Sequence, residues 1–432
     1  MKSRNLVLSI LSLALLACPS EPAENIEPKV SGPYLGRHAY TLLRGASDNA
    51  EAIKVVPGQK RAVLLSSKAR KLTLLEVDGD KLEVAREKSL FESDPTESEL
   101  TNLEVSASGT WAVLTRTIIE TDGAGAQTAC GGELVFVDVT DSDAFGTILK
   151  QLEVGPMPDS VDISDDDTLV ASANERDGPD AWGKCEVPGA EASVSIVKLE
   201  DGPASAVELH RVKMIDSTTG PREPEAVVFS KDGDLIAVTL QDSHEVALLS
   251  VSALAQKTNP TSDDVKIVAL PPNALGAKPW PDGIARFDDA QGTEHFAIAG
   301  EWNDALIVID REGKVVANAE VSASDIPESF PRVVDSESPL FSPDTIAPFV
   351  YGERSYLAVS LRHSGAVAVY DVSDAAHPTY RTAVAVGEKE TGKSDEDGST
   401  IRPEGICAAA DGSFILTANE QESSVSLVLP AD

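Results

Sequence analysis

The chain has 432 residues, of which 42% are hydrophobic, so it can bury a large core as one domain or as up to about three smaller ones. Its 71 acidic residues against 36 basic ones give a formal net charge of −35, which argues against nucleic acid as a partner and against direct electrostatic docking on anionic lipid. Cations and basic partners are favoured instead.

Residues 1–17 are predicted to be a lipoprotein signal peptide. Lys2 and Arg4 form a short basic region, and the apolar stretch Leu6–Leu16 is too short to span a bilayer. The sequence LLAC that ends at Cys18 resembles the lipobox at which bacterial lipoprotein signals are cleaved. This resemblance implies that Cys18 becomes the first residue of the mature chain and carries a membrane-anchoring lipid. An ordinary secretory signal with an incidental Cys18 is the alternative.

Residues 18–33 are predicted to be a disordered tether. The segment PSEPAENIEPKVSGP, which begins at Pro19, is rich in proline and glutamate and has little to bury. Pro19 rather than an aspartate follows Cys18, which by analogy with enteric bacteria favours delivery to the outer membrane. The predicted location is therefore the bacterial cell envelope.

Residues 34–432 are predicted to form a single all-β domain, a seven-bladed β-propeller of four-stranded antiparallel blades. Each of seven units has a short apolar strand, a tight turn, a second strand such as LVASAN and a third such as SVSIVKL. A spacing of roughly 50 to 65 residues is typical of propeller blades, whereas a β-sandwich would not explain sevenfold self-similarity. The first strands lie near Ile53, Leu103, Val161, Val227, Ile284, Ile346 and Ile406.

The last unit has no room for a fourth strand, because the chain ends at Asp432. The early segment HAYTLLRG, from His38 to Gly45, has strand character but no unit of its own. We therefore expect this N-terminal strand to complete the last blade and close the ring.

The sequence motif of the repeat resembles that of a known family. Units of the form P-[DE]-x-[VI], followed by a turn and a strand that ends in Ala-Asn-Glu, resemble the YVTN and YncE-like repeats of seven-bladed propellers. The combination of PEGI with TANEQESSVSL is most similar to bacterial surface propellers of the choice-of-anchor I type. The resemblance implies the fold but not an activity, because such propellers include lactonases, electron-transfer subunits and proteins of unknown role.

A polar residue leads into the first strand of every unit, and six of the seven are carboxylates. In a propeller these positions crowd the mouth of the central channel. Two carboxylates about 8 Å apart repel by roughly 2 kcal/mol at an effective dielectric near 20, so the ring must be neutralised. Hydrogen bonds within each blade are one explanation; a divalent cation such as Ca²⁺ at Glu225, Asp282, Asp344 and Glu404 is another. The seven residues are Glu51, Asn102, Asp159, Glu225, Asp282, Asp344 and Glu404.

A second polar set follows strand two and is predicted on the same face: Arg116, Glu175, Glu301, Arg362 and Glu420. The two arginines are interpreted as internal counter-ions or as ligands for an anion, with plain surface charge as the alternative.

Long insertions gather on this face, where recognition usually lies. Trp182, Trp280 and Trp302 lie in or beside them and are expected to contact a partner or to cap the rim. The insertions are Ile119–Gly132, Arg176–Ala192, Pro271–Pro281, Ala323–Ser342 and Gly387–Arg402.

The cysteines favour an exported protein. Cys130 and Cys185 fall in matching insertions of neighbouring units and are predicted to form a disulfide bond. Cys407 lies in an apolar first strand and is predicted to be buried and free.

Catalytic motifs are not evident, since the sequence contains no GxSxG, HExxH or P-loop. The favoured hypothesis is therefore a lipid-anchored binding module, not an enzyme, whose loop-rich acidic face binds a protein, a glycan or a cation. The alternative is a metal-dependent lactonase or ester hydrolase, in which a cation on the channel carboxylates activates water.

Overall fold

Short β-strands joined by tight turns make up the part of the chain that the computed structural model describes. That part is residues 34–42, 49–92, 97–122, 127–176, 185, 187, 190–216, 220–331, 341–387 and 401–430, with the backbone alone at 34–42, 97, 215–216 and 220–221. The predicted signal peptide, Cys18, the predicted tether and Trp182 lie outside the described residues.

The strands fall into seven groups. An N-terminal strand, β1 (Tyr34–Leu42), comes first. Blade 1 has β2 (Ala50–Val55), β3 (Arg61–Ser66), β4 (Lys71–Asp78) and β5 (Lys81–Ser89). Blade 2 has β6 (Glu97–Val105), β7 (Trp111–Thr121), β8 (Gln127–Asp138) and β9 (Ile148–Val154). Blade 3 has β10 (Pro158–Ile163), β11 (Leu169–Asn174), β12 (Ser193–Lys198) and β13 (Val207–Lys213), followed by a ribbon of β14 (Ile215–Asp216) and β15 (Gly220–Pro221).

The second half repeats the pattern. Blade 4 has β16 (Pro224–Phe229), β17 (Leu235–Leu240), β18 (Glu245–Ser250), the helix α1 (Val251–Leu254) and β19 (Lys266–Ala269). Blade 5 has β20 (Pro281–Asp288), β21 (Glu294–Gly300), β22 (Ala305–Asp310) and β23 (Val315–Glu320). Blade 6 has β24 (Pro343–Tyr351), β25 (Arg354–Leu361), β26 (Ala366–Asp371) and β27 (Thr379–Ala385). Blade 7 has β28 (Pro403–Ala408), β29 (Ile415–Asn419) and β30 (Ser424–Pro430). Short 3₁₀ turns lie at Pro203–Ser205, Ser262–Asp264, Glu301–Asn303 and Arg362–Ser364.

Each blade is a four-stranded antiparallel sheet, and the strands of blades 1 to 6 follow chain order from the inside outward. The first strands contact one another in a closed ring, β2, β6, β10, β16, β20, β24, β28 and back to β2. This confirms the predicted all-β, seven-bladed propeller. Among the described residues, no helix is both long and apolar enough to cross a membrane.

The N-terminal strand closes the ring, as the sequence predicts. Strand β1 pairs antiparallel with β30, which gives blade 7 the order β1-β30-β29-β28. The paired strand is Tyr34–Leu42 rather than the expected His38–Gly45, and residues 43–48 lie outside the described chain. Its register runs from Tyr34 opposite Pro430 to Leu42 opposite Ser424.

The core is divided among the blade interfaces. Each of the seven interfaces between neighbouring blades has its own cluster of buried apolar side chains, including the interface between blades 7 and 1. A middle strand is therefore buried on both faces, which explains apolar runs such as ALIVID in β22 rather than alternation. Because neighbouring sheets bury each other, the burial of apolar surface holds the ring together.

Two glycines allow the inner strands to approach closely. A Cβ atom added to Gly405 of blade 7 would lie 2.6 Å from the carbonyl oxygen of Glu51 in blade 1. One added to Gly283 would collide with the carbonyl oxygen of Asp344 in the next blade. The glycine in PDGI and PEGI therefore reflects contact between blades.

The asparagine of the repeat is also structural. Asn174 and Asn419 end the second strands of blades 3 and 7 and are fully buried. The side-chain amide of Asn174 donates to Ser193 Oγ at 3.2 Å and Ser195 Oγ at 3.1 Å, and Asn419 makes the same bonds in blade 7. The recurring Ala-Asn and Ser-Val-Ser thus specify one turn, because the buried amide needs these partners.

Candidate functional site: the acidic mouth of the central channel

A β-bulge lies at the start of every first strand. In blade 3, Pro158 pairs with Asn174 and Ser160 with Ala173, so the register of the two strands shifts at Asp159. In blade 7 the same shift isolates Glu404 between Pro403 and Gly405. A bulge of this kind re-aims a side chain, and here it falls on the acidic residue. All seven first strands show the register shift.

The bulges bring the predicted residues together. All seven leading residues line one cavity of about 390 Å³ at the centre of the ring. Arg362, from the second predicted set, lines it as well. We call this group the acidic mouth: Glu51, Asn102, Asp159, Glu225, Asp282, Asp344, Glu404 and Arg362.

Arg362 is the internal counter-ion on one side of the acidic mouth. Its Nε lies 2.8 Å from Oε1 of Glu404 and 4.0 Å from Oδ2 of Asp344, and its Nη1 lies 3.5 Å from Oε1 of Glu301. Burial by itself would lower the pKa of Arg362, but the charges of Glu404, Asp344 and Glu301 outweigh it and raise that pKa. One guanidinium therefore serves three carboxylates from blades 5, 6 and 7.

The acids of the mouth resist ionisation. Burial is the largest effect and raises the pKa of Glu51, Glu225, Asp282 and Asp344 well above the usual range. Neighbouring carboxylates raise these values further, and at Asp282 and Asp344 the charge of Arg362 opposes them. For Glu225 the strongest neighbouring charges are all carboxylates, with Glu175 first. The mouth is thus balanced by Arg362 on one side only.

Several acceptors in the mouth are unsatisfied. The side chain of Asp344 is only 5% exposed, and its Oδ2 accepts no hydrogen bond. Oε2 of Glu225 and Oε1 of Glu404 are likewise buried acceptors without a hydrogen bond, so the Arg362 contact to Glu404 is an ion pair rather than an aligned bond. Asp344 and Glu404 are close enough to share a proton. A buried acceptor without a hydrogen bond, such as Oε2 of Glu225, is costly.

A deeper level of the same cavity holds charged residues that the sequence analysis missed: Lys54, Glu104 and Asp162. Lys54 Nζ lies 2.7 Å from Oε2 of Glu104, and Asp162 accepts a hydrogen bond from the backbone N–H of Phe229 at 2.7 Å. Lys54 and Asp162 each lie three residues after a mouth acid. In a regular strand, residues three apart point to opposite faces, so neither would be expected to share the cavity with that acid. The bulge adds one residue to the strand and brings both side chains to the same cavity.

Asp162 gives the domain a testable pH dependence. Burial raises its pKa from 3.8 to about 7, with Glu104 adding to the shift, while the Phe229 N–H bond and Lys54 oppose it. The folded state therefore binds this proton more tightly than the unfolded chain, so the contribution to stability is complete below about pH 4 and is lost as the pH rises through about 7.

We expect Asp162→Asn, which keeps an acceptor for Phe229, to remove this loss. Between pH 5 and 8 the free energy of unfolding should fall by about 2 kcal/mol less in the variant than in the wild type, as measured by urea denaturation. Parallel pH curves for the two proteins would contradict this assignment.

The remaining members of the second predicted set lie apart from Arg362. Glu175 and Glu420 line a neighbouring cavity of about 320 Å³, which also includes Glu51 and Asp159. Arg116 is a buried structural residue instead, since it pairs with Glu133 at 3.0 Å and lies 3.9 Å over the ring of Phe91. Arg116 lies inside β7 rather than after the second strand, is 3% exposed, and is not among the residues that line the central cavity.

Two tryptophans form an aromatic platform on the rim. The rings of Trp280 and Trp302 lie 5.1 Å apart, and His244 lies 6.5 Å from Trp280. Trp302 is 43% exposed. Trp280 precedes the mouth acid Asp282 by two residues and accepts a hydrogen bond from the backbone N–H of Glu301 at 2.9 Å. Trp302 directly follows Glu301, whose carboxylate lies 3.5 Å from Arg362 of the mouth, so two mouth residues connect the platform to the mouth.

The structure joins Cys130 and Cys185 in a disulfide bond with Cα atoms 5.6 Å apart. The bond connects the rim insertions of blades 2 and 3. Cys407 is buried and is the free cysteine of the described chain. Burial raises the pKa of its thiol to about 12, so it is not a reactive thiolate.

The four carboxylates suggested for a divalent cation, Glu225, Asp282, Asp344 and Glu404, share the mouth. Within the described ranges, however, no three His, Cys, Asp or Glu side chains are grouped so that they could hold a metal ion. The four acids come from four different blades, one from each.

Most of the first four blades of the propeller match a family model. Residues 51–258 match the choice-of-anchor I domain. The choice-of-anchor I match begins at Glu51, the first acid of the mouth, and ends just beyond α1 of blade 4. It confirms the resemblance expected from the repeat. Blades 5 to 7, which supply Arg362 and the aromatic platform, lie beyond the matched region.

Solved structures share the architecture of this propeller. A chain of Kuenenia stuttgartiensis hydrazine synthase is similar at 14% identity and a TM-score of 0.55, over 90% of this chain and 98% of that one. A chain of the mitotic checkpoint complex is similar at 12% identity and a TM-score of 0.56, over 98% of this chain and 100% of that one. At such identities the likeness concerns the fold alone. No curated protein matches the sequence.

Proposed function

We propose that this protein is a binding module of the bacterial cell envelope, anchored through a lipid on Cys18, and that its acidic mouth takes up a positively charged group of a ligand. The observation that carries the proposal is that three carboxylates lining one cavity, Glu225, Asp344 and Glu404, each have a buried oxygen that accepts no hydrogen bond. A cationic donor would satisfy these acceptors and offset their mutual repulsion.

Two further observations support the proposal. The choice-of-anchor I match supports a location at the cell surface or in the envelope. The net charge of −35 favours encounter with cationic ligands, because the field of the whole protein steers them toward it.

Isothermal titration calorimetry with spermidine and with calcium chloride tests the mouth. We expect the wild type to bind spermidine, and Glu225→Gln or Glu404→Gln to weaken binding by about tenfold. Glu83→Gln, which changes an exposed acid on the outer strand β5, is the matched control and should bind like the wild type.

The same titration addresses the metal-dependent hydrolase. That alternative requires the mouth to bind calcium and the two mouth variants to abolish it. Absence of binding for both cations in the wild type would remove the proposed binding function.

A further inference from the structure

Resting on the binding function proposed above, we infer that the group taken up by the acidic mouth is the guanidinium of an arginine on a partner polypeptide, received beside Glu225 and stacked on Trp302. The inference follows from the asymmetry of the mouth and from the platform on its rim.

The acidic mouth has a positive charge beside Glu404 but not among the strongest charges around Glu225. Arg362 brings one guanidinium within 4.0 Å of Glu301, Asp344 and Glu404. On the other side, Glu225 keeps a buried Oε2 that accepts no hydrogen bond, and the strongest charges around it are those of other carboxylates. A second guanidinium from outside would repeat for Glu225 what Arg362 does for Glu404.

Asp344 strengthens the argument. Its side chain is 5% exposed, its Oδ2 accepts no hydrogen bond, and the residue lines the same cavity as Glu225. The cavity of about 390 Å³ has room for a side chain to enter. The acceptors without a hydrogen bond therefore belong to residues of one cavity rather than to scattered surface acids.

The platform favours arginine over lysine. A guanidinium stacks on an indole face and offers five donors in a fixed fork, so one group can stack on Trp302 and donate to a carboxylate such as Glu225. A lysine ammonium is a point charge that keeps its hydration more strongly.

The residues around the aromatic platform favour an arginine within a polypeptide over a free amino acid. The segment that leads to Trp280 exposes Leu275, whose side chain is 91% accessible. Residues that flank the bound arginine would contact the platform and this apolar side chain, which a free amino acid could not do. The strong negative charge of the protein complements a basic partner.

The test uses a blocked pentapeptide with a central arginine flanked by leucines, together with versions in which citrulline or lysine replaces the arginine. Binding to the whole mature protein is measured by calorimetry and by tryptophan fluorescence. We expect the arginine peptide to bind about tenfold more tightly than the citrulline peptide, more tightly than the lysine peptide and more tightly than free arginine.

Two variants test whether Glu225 and Trp302 contact the arginine of the peptide. Glu225→Gln should weaken the arginine peptide about tenfold and Trp302→Ala about threefold. Tyr351→Ala is the matched control, because Tyr351 is an exposed aromatic residue at the hairpin turn of blade 6, away from the mouth, and binding should not change.

The outcomes separate this inference from the function on which it rests. Equal binding of the arginine and citrulline peptides, or no effect of Glu225→Gln and Trp302→Ala, overturns the inference. So does equal binding of free arginine, which would make the ligand a small molecule. Binding of spermidine without binding of the arginine peptide also overturns it, yet leaves the proposed function standing.

Discussion

The Gly405→Ala variant is expected to be less stable than the wild type by about 3 kcal/mol. In a strand that alanine can adopt, this change ordinarily stabilises a protein by about 0.4–1 kcal/mol through the unfolded chain. At Gly405 the new Cβ would lie 2.6 Å from the carbonyl oxygen of Glu51 and 3.0 Å from Cα of Ala52. Both are backbone atoms, so the inner strands of blades 7 and 1 must separate, and overpacking of this kind costs about 1–3 kcal/mol or more.

Gly131→Ala is the matched control for this prediction. Gly131 also lies in a strand, β8, but its added Cβ would meet only Cβ of Ile118 at 3.7 Å, an ordinary contact. Urea denaturation of the two variants and the wild type gives the comparison. Equal stabilities of the two variants would show that blades 7 and 1 are not in close contact at Gly405.

Deletion of Tyr34–Leu42 should abolish cooperative unfolding of the propeller. The deletion removes the fourth strand of blade 7 and leaves β30 as an unpaired edge along its whole length. The buried cluster between blades 7 and 1 would then depend on an incomplete sheet. We expect a broad thermal transition and aggregation through the exposed edge, measured by circular dichroism and light scattering.

Deletion of residues 20–28 removes the same number of residues from the predicted tether and serves as the control. This shorter chain should unfold with the wild-type midpoint and cooperativity. If deletion of Tyr34–Leu42 were equally harmless, the ring would have to be held without the N-terminal strand.

Much of the fold could be predicted because the blades repeat. Seven copies of one pattern reveal strands that a single copy would leave ambiguous, and the missing fourth strand at the C-terminus points to an N-terminal partner. The bounds of that strand could not be predicted, since its partner β30 fixes them through a register with two irregularities, near Tyr34 and Arg37.

The site was predictable at the level of the ring and not at the level of individual contacts. Proline followed by an acid marks five of the seven bulges, and the alignment of the repeat places Glu51 and Asn102 at the equivalent positions. The deeper residues Lys54 and Asp162 could not be predicted, because a bulge shifts the alternation of side chains between the two faces of a strand, on which sequence patterns rely. Arg116 and Arg362 were both expected to follow a second strand, but β7 is long enough to include Arg116, which meets Glu133, whereas Arg362 follows the end of β25 and meets Glu404.

The closing strand also determines how the domain is presented. Strand β30 starts at Ser424, on the side of the acidic mouth, and ends at Pro430 on the opposite side, where Tyr34 pairs with it. The chain before Tyr34 therefore joins the propeller on the side away from the mouth. The start of the N-terminal strand and a ligand that enters the acidic mouth therefore occupy opposite faces of the ring.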